Sequence, residues 1–166
     1  LLVQAALHKA RADLPAAEVL IDRAVQLYPL NLSALYEKGL ILVLQGELEA
    51  ALVHYDSILT SNPMAYRTLA ARAAAYLRLG RLTEALADLE VVYENVPQDF
   101  NVAFSYAHVL RELDRQEEAK AVITELVGLI NRVPESRLRK EPKLLRTAAL
   151  LSYMQGDLDQ ALVYGS

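Results

Sequence analysis

Cysteine and tryptophan are absent from the 166 residues, and phenylalanine occurs only twice. The lack of cysteine excludes disulfides and thiolate metal sites, and it fits the cytoplasm and the bacterial periplasm equally well. No apolar run approaches the roughly 20 residues of a membrane-spanning helix. The longest candidate, Gly39 to Leu44, is followed by Gln45 and Gly46. The sequence therefore predicts no membrane span in these residues and leaves the localisation of the protein open.

Excess positive charge is lacking as well. The formal net charge is −4 and the isoelectric point is about 5.4, so nothing predicts an electrostatic attraction to nucleic acid. His8, His54 and His108 are far apart, and no two of them have the i, i+4 spacing of a helical metal site. A glycine-rich phosphate loop and a serine nucleophile motif are missing too. We therefore predict no catalytic, metal or cofactor site in this chain.

What the sequence does contain is a repeat of 34 residues. Pro29, Pro63 and Pro97 are separated by this interval, and so are Gly46 and Gly80. Alanine recurs with the same spacing, at Ala17, Ala51, Ala85 and Ala119. A fixed period of this length is typical of stacked helical hairpins, in which small residues let two helices approach closely. The sequence predicts an all-α fold.

Five units can be followed along the chain. Gly46 and Gly80 are predicted to end the first helix of their hairpins, because glycine adopts the left-handed conformation at low cost. Asp114 stands at the same position one unit later, and 42 residues separate it from Gly156, so eight residues are added. Tyr28 is predicted to pack against the next hairpin. The predicted units span about 1–31, 32–65, 66–99, 100–141 with the insertion, and a partial 142–166.

A known family shares this pattern. The positions that resemble the tetratricopeptide repeat are Leu35, Gly39, Gly46, Ala51, Tyr55 and Pro63, then Leu69, Ala73, Tyr76, Gly80, Ala85 and Pro97. The resemblance covers essentially the whole chain and implies one α-solenoid over residues 1–166, coiled as a right-handed superhelix. Lys38 and Arg72 depart from it, since leucine is usual there. Because the apolar pattern is already under way at Leu1, we expect a fragment of a larger protein, and its Ala/Leu/Arg-rich composition resembles that of bacterial proteins.

The family resemblance also implies where a partner binds. In such arrays the first helix of each hairpin lines a concave groove. By position, the expected partner-binding residues are Tyr36, Leu40, Arg67, Ala70, Ala74, Arg78, Phe104, His108 and Arg111. Ala70 and Ala74 would leave a shallow trough for an apolar anchor, while the arginines orient acidic groups. The lysine and asparagine clamp of some family members is absent from the matching positions.

A second candidate surface is basic. Its residues are Arg132, Arg137, Arg139, Lys140, Lys143 and Arg146. They suit an acidic partner or an anionic polymer such as a polysaccharide, while the alternative interpretation is a solvated loop. We also expect self-association through the apolar ends of a shortened array.

The sequence thus predicts a scaffold, not an enzyme, that binds a partner protein or peptide in the groove. Two alternatives stay open. In one, the chain is the repeat region of a bacterial envelope export or secretion machine of the exopolysaccharide type. In the other, it is the regulatory domain of an enzyme whose catalytic part lies elsewhere.

Overall fold

The computed structural model describes residues 1–134, 136 and 140–155, with only the backbone described at Lys143, Leu144, Met154 and Gln155. Within these residues the regular elements are helices, so the predicted all-α fold is confirmed. The second helix predicted for the fifth unit, after Gly156, lies outside the described residues. The helices are α1 (Leu2–Ala10), α2 (Leu14–Leu27), α3 (Leu32–Gln45), α4 (Leu48–Ser61), α5 (Tyr66–Arg78), α6 (Leu82–Asn95), α7 (Phe100–Glu112), α8 (Gln116–Ile130) and α9 (Pro142–Gln155).

The turn inside each hairpin has the same backbone conformation in four successive repeats. In the described part of the chain, positive φ angles occur at Ala12 (60°), Gly46 (87°), Gly80 (72°) and Asp114 (59°). These four residues are each 34 positions apart. The glycines adopt this conformation at little cost, whereas a residue with a Cβ is strained by it. The backbone therefore keeps the repeat even where the glycine has been replaced.

Ala12→Gly is expected to raise the free energy of unfolding by about 0.5–1 kcal/mol. Relief of the left-handed strain outweighs the extra entropy that glycine gives the unfolded chain. Urea unfolding followed by circular dichroism measures the change. Ala10→Gly is the matched control, because Ala10 lies in the last turn of α1, where glycine should destabilise by about 0.5–1 kcal/mol. A loss of stability in Ala12→Gly would contradict the conformation of this turn.

The repeated alanines lie at the closest helix contacts. Ala17, Ala51 and Ala85 are fully buried, and Ala119 is 1% exposed. In the second repeat the tight packing extends to Gly39 on α3, because a Cβ there would lie 2.4 Å from Cε1 of Tyr55 on α4. Small side chains at these points are therefore a steric requirement of the hairpins.

The chain divides into two compact units, Leu1–Ala85 and Leu86–Ser166. In the first unit each of the helices α1 to α4 packs against the helix that follows it, and α3 also contacts α5. Its two apolar clusters are Leu35, Leu42, Ala51, Tyr55 and Ile58, and Ala5, Ala17, Ile21 and Ile41. In the second unit α7, α8 and α9 pack on one another, and the largest fully buried side chains include those of Leu110, Leu126, Ile130 and Leu151.

Three of the contacts between one hairpin and the next helix carry a polar pair at the same two repeat positions. An acid on the second helix of a hairpin faces a hydrogen-bond donor on the helix that follows. These junction pairs are Lys38 Nζ to Asp22 Oδ1 at 2.7 Å, Arg72 Nη1 to Asp56 Oδ1 at 2.6 Å, and Tyr106 Oη to Glu90 Oε1 at 3.5 Å. The departures from leucine at Lys38 and Arg72 are therefore each matched by a carboxylate on the preceding helix.

One sequence prediction is corrected by the fold. Tyr28 is 64% exposed and does not pack into the next hairpin, because the connection between α2 and α3 leaves its ring in solvent. The eight extra residues hardly lengthen α8. That helix has 15 residues against 14 in α6, so nearly all of the insertion falls in the connection before α9.

Candidate functional site

The predicted partner-binding residues of the first unit lie on two helices that contact each other. Tyr36 and Leu40 are on α3, and the other four are on α5. None of the six is buried, and three of them on α5 are exposed, namely Arg67, Ala74 and Arg78. We call the surface made by Tyr36, Leu40, Arg67, Ala70, Ala74 and Arg78 the α3–α5 face.

On the α3–α5 face one cation packs on an aromatic ring, and that ring packs against a second ring. The guanidinium carbon of Arg67 lies 4.3 Å from the centroid of the Tyr36 ring, a cation–π distance. The Tyr36 ring in turn packs against Tyr55, with 6.1 Å between the centroids. Tyr55 is fully buried, and burial, together with the nearby Tyr36 and Glu37, raises the pKa of its phenol. Tyr36 therefore joins the apolar core to the surface and holds Arg67 in place.

The charges around this stack are unequally compensated. Lys9 on α1 forms an ion pair with Glu37 on α3, so these two charges cancel. Arg78 donates from Nη1 to the backbone oxygen of Val43 at 2.6 Å, which uses a donor but leaves the positive charge. Arg67 makes no hydrogen bond or ion pair with any described residue. The α3–α5 face is therefore cationic, on a chain whose net charge is −4.

Sequence reasoning did not identify the ion pair of Lys9 with Glu37, nor the Val43 carbonyl as an acceptor. The opposite charges of Lys9 and Glu37 were visible, but their separation of 28 residues does not match the repeat of 34. A backbone acceptor such as the Val43 oxygen has no sequence signal at all. These contacts become visible only when the helices are placed side by side.

The remaining partner-binding candidates lie on α7 in the second unit. Phe104 is half-buried, whereas His108 and Arg111 are exposed. All three face away from the buried residues of this helix, which include Ala103, Ala107 and Leu110. Their role in binding stays a prediction.

The basic candidate surface is described only in part. Arg132 and Lys140 are exposed, and Arg146 is not buried. Arg137 and Arg139 lie outside the described residues, and so does the side chain of Lys143. The proposed contact with an anionic polymer therefore stays a prediction of the sequence.

Across the described residues, no group of three or more His, Cys, Asp or Glu side chains could hold a metal ion. His8 is bonded to Asp13 at 2.9 Å, and His54 is half-buried on α4, where burial and the nearby Lys38 lower its pKa. In the part of the chain searched, no helix is long and apolar enough to span a bilayer.

A pocket in the second unit was not anticipated from the sequence. It has a volume of about 470 Å³ and is lined by residues that include Asp99, Phe100, Asn101 and Glu141. The Asp99 carboxylate accepts hydrogen bonds from the backbone amides of Asn101 and Val102 and so caps α7. None of the predicted partner-binding residues is among those that line it.

Comparisons with solved structures agree with this arrangement of helices. A thermophilic TPR protein of Thermus thermophilus superposes with a TM-score of 0.73 at 21% identity, covering 98% of this chain and 85% of the other. The TPR protein YrrB, described as having an unusual peptide-binding site, gives 0.70 at 16% identity, covering 98% and 80%. At these identities the likeness shows the fold alone, and it confirms the solenoid class of helical repeats.

Sequence comparisons identify the family. The tetratricopeptide repeat and J domain-containing co-chaperone DNJ1 of Fusarium oxysporum is 31% identical over 125 residues, which are 75% of this chain. The chain spans only 23% of the length of that relative. The family model described as tetratricopeptide repeat matches residues 1–132. The chain belongs to the tetratricopeptide repeat family.

Proposed function

We propose that this chain is a protein-interaction scaffold whose α3–α5 face binds an acidic segment of a partner protein. The observation that carries the proposal is the Arg67 guanidinium, which is stacked on Tyr36 and has no carboxylate partner among the described residues. Stacking on a ring leaves the N–H groups at the edge of a guanidinium available to a carboxylate. Scaffolding is also the common role of tetratricopeptide repeat proteins.

The shape of the α3–α5 face supports an extended or helical ligand. Ala70 and Ala74 have small side chains, and Leu40 adds an apolar, half-buried surface on α3. An apolar side chain of the ligand would be buried there, while its acidic neighbour binds Arg67 or Arg78. Because Tyr36 is packed against the core, the binding groups lose little freedom when a ligand arrives. The apolar contact supplies affinity and the arginines supply specificity.

Selection from short randomised peptides displayed on phage tests the proposal. We expect the selected peptides to be enriched in Asp or Glu near an apolar residue. Arg67→Glu should weaken their binding by at least about tenfold, and Arg67→Lys by a few-fold, because lysine keeps the charge and loses the planar stack. Fluorescence anisotropy with a labelled peptide measures both losses.

The matched control is Arg23→Glu, which makes the same charge change on α2, outside the α3–α5 face. Its affinity for the selected peptide should stay within about twofold of the wild type, because only long-range electrostatics change. Peptides without acidic residues, or equal binding by Arg67→Glu and wild type, would overturn the proposal.

A co-chaperone role is a second candidate. It is favoured by the 31% identity to the DNJ1 co-chaperone and by apolar side chains at the end of α2 and in the connection to α3. Leu27, Tyr28 and Leu30 are 56%, 64% and 87% exposed. Such a surface suits the apolar segments of unfolded proteins. Binding of a permanently unfolded protein that is unchanged by Arg67→Glu would favour this role. No observation on the described residues favours envelope export or enzyme regulation.

A further inference from the structure

Two arginines of the α3–α5 face extend from α5 to α3, one near each end of the groove between these helices. Arg67, in the first turn of α5, has its guanidinium carbon 4.3 Å from the centroid of the Tyr36 ring. Arg78, the last residue of α5, donates to the backbone oxygen of Val43 at 2.6 Å. The earlier arginine contacts the earlier residue of α3 and the later arginine the later one, so the two helices run in the same direction.

Helix geometry fixes the distance between the two guanidinium groups. Arg78 follows Arg67 by 11 positions, which is about three helical turns and about 16 Å along one face of α5. Their contacts on α3, Tyr36 and Val43, are seven positions apart, about 10 Å. Side chains lean toward the helix N-terminus and carbonyl groups point toward the C-terminus, so these contacts lie several ångström farther apart than the backbone positions. Both helices thus give a separation of about 15 Å.

Small and apolar side chains lie between the two arginines. Ala70 and Ala74 are on the α5 side of the groove, and the half-buried Leu40 is on the α3 side. Ala71 packs against the buried apolar cluster of α3 and α4 that contains Tyr55. The floor of the groove is therefore apolar and rests on the core, which suits an apolar side chain of a ligand.

The width of the groove favours an extended ligand over a helical one. Helices α3 and α5 contact each other, so the groove between them is narrower than a helix, which is about 10 Å across. In an extended chain residues i, i+2 and i+4 share one face, and residues i and i+4 are about 13 Å apart. Acidic side chains at i and i+4 then reach both guanidinium groups, while residue i+2 lies over Ala70 and Ala74. In a helix the positions i and i+4 are only about 6 Å apart and reach one arginine.

We propose that the groove between α3 and α5 binds an extended segment of a partner protein, with acidic residues at i and i+4 and an apolar residue at i+2. The segment lies parallel to the two helices. This depends on the proposed function and adds the conformation of the ligand and the spacing of its acids. Charge complementarity supports this occupant, because neither Arg67 nor Arg78 has a carboxylate partner among the described residues. A single phosphate group or a C-terminal carboxylate would contact only one of two arginines that are about 15 Å apart.

Three synthetic peptides of identical composition test the spacing. Each has a glutamate at i and a leucine at i+2 in a glycine–serine chain, and both ends are blocked so that no terminal carboxylate competes. The second glutamate is at i+3, i+4 or i+6. In an extended chain the i+3 side chain points to the opposite face, and the i+6 side chain lies about 20 Å from the first glutamate. We expect the i+4 peptide to bind about fivefold tighter than the other two in fluorescence anisotropy, because each of those leaves one ion pair unmade.

Substitution of either arginine should remove this preference. In Arg67→Gln and in Arg78→Gln one guanidinium remains, and all three peptides can bind it equally well. Arg23→Gln, at an exposed position of α2, is the matched control and should keep the preference for the i+4 peptide. Thermal melting followed by circular dichroism checks that each variant is folded, and the comparison of the three peptides on the wild-type chain needs no substitution.

The possible results separate this proposal from the proposed function. Equal affinities for the three peptides, all weakened by Arg67→Glu, would contradict the spacing and leave the proposed function intact. Tighter binding of a lactam-stabilised helical peptide with acids at i and i+11 would contradict the extended conformation in the same way. If none of the peptides bound, or if Arg67→Glu bound them as the wild type does, the proposed function and the spacing would both be wrong.

Discussion

Gly39→Ala is expected to lower the free energy of unfolding by about 2–3 kcal/mol, although alanine is the better helix former. The added Cβ would lie 2.4 Å from Cε1 and 2.8 Å from Cζ of Tyr55. The Tyr55 ring cannot move aside cheaply, because it is fully buried and packs against Tyr36. Urea unfolding followed by circular dichroism measures the loss.

Gly128→Ala is the matched control for this substitution. Gly128 is also inside a helix, α8, but a Cβ there meets no described atom within 4 Å. Alanine should therefore stabilise the chain by about 0.5–1 kcal/mol through helix propensity alone. If both glycine substitutions changed the free energy of unfolding in the same direction, the close contact between Gly39 on α3 and Tyr55 on α4 would be contradicted.

Lys38→Glu is expected to destabilise the chain by about 2 kcal/mol, because it leaves three carboxylates together at a partly buried contact. The Lys38 side chain is 14% exposed and contacts Glu18 and Asp22. Burial opposes its charge, yet its hydrogen bonds to Asp22 and Glu18 outweigh burial and raise the pKa of Lys38. The hydrogen bonds from Lys38 and Gln45 lower the pKa of Glu18.

The pH dependence of this variant's stability follows from the directions of these two pKa shifts. In the wild type the lowered pKa of Glu18 stabilises the fold at pH values above the pKa that Glu18 has in the unfolded chain. This stabilisation is lost as the pH falls through the pKa that Glu18 has in the folded chain. The raised pKa of Lys38 stabilises the fold at lower pH, and this stabilisation is lost as the pH rises through the pKa that Lys38 has in the folded chain. The difference in the free energy of unfolding between wild type and Lys38→Glu should therefore be largest near neutral pH. It should shrink below about pH 4.5, where carboxylates gain protons.

Lys120→Glu serves as the control, since Lys120 is exposed on α8 and its side chain has no bonding partner among the described residues. It should change stability by no more than about 0.5 kcal/mol. Adding Asp22→Lys to Lys38→Glu should recover part of the loss by restoring opposite charges. A double variant as unstable as the sum of the two single variants would show that this pair does not interact.

Features set by the local backbone and by burial could be predicted from the sequence. Gly46 and Gly80 predicted the turns because positive φ favours glycine, and Ala51 predicted a close contact because only a small residue fits. Asp114 was predicted at the same position, and the structure gives it the same left-handed conformation. Tyr55, one of the positions that resemble the repeat family, is fully buried.

Contacts between side chains on different helices were harder to predict from the sequence. Lys38 and Arg72 could be recognised only as departures from leucine, since their acids lie on another helix 16 residues earlier. Arg78 was assigned to acidic ligands, but its Nη1 donates to a main-chain oxygen that no sequence pattern marks. Tyr28 was predicted to pack against the next hairpin because it precedes Pro29, but its ring is exposed.

The junction pairs give the stacking of hairpins a polarity. The carboxylate is always on the second helix of one hairpin, at Asp22, Asp56 or Glu90, and the donor is always on the helix that follows. The acceptor is a carboxylate in all three pairs, whereas the donor is an ammonium, a guanidinium or a phenol. A hairpin inserted in the reverse direction would set carboxylate against carboxylate, so the order of stacking is encoded separately at each of these three contacts.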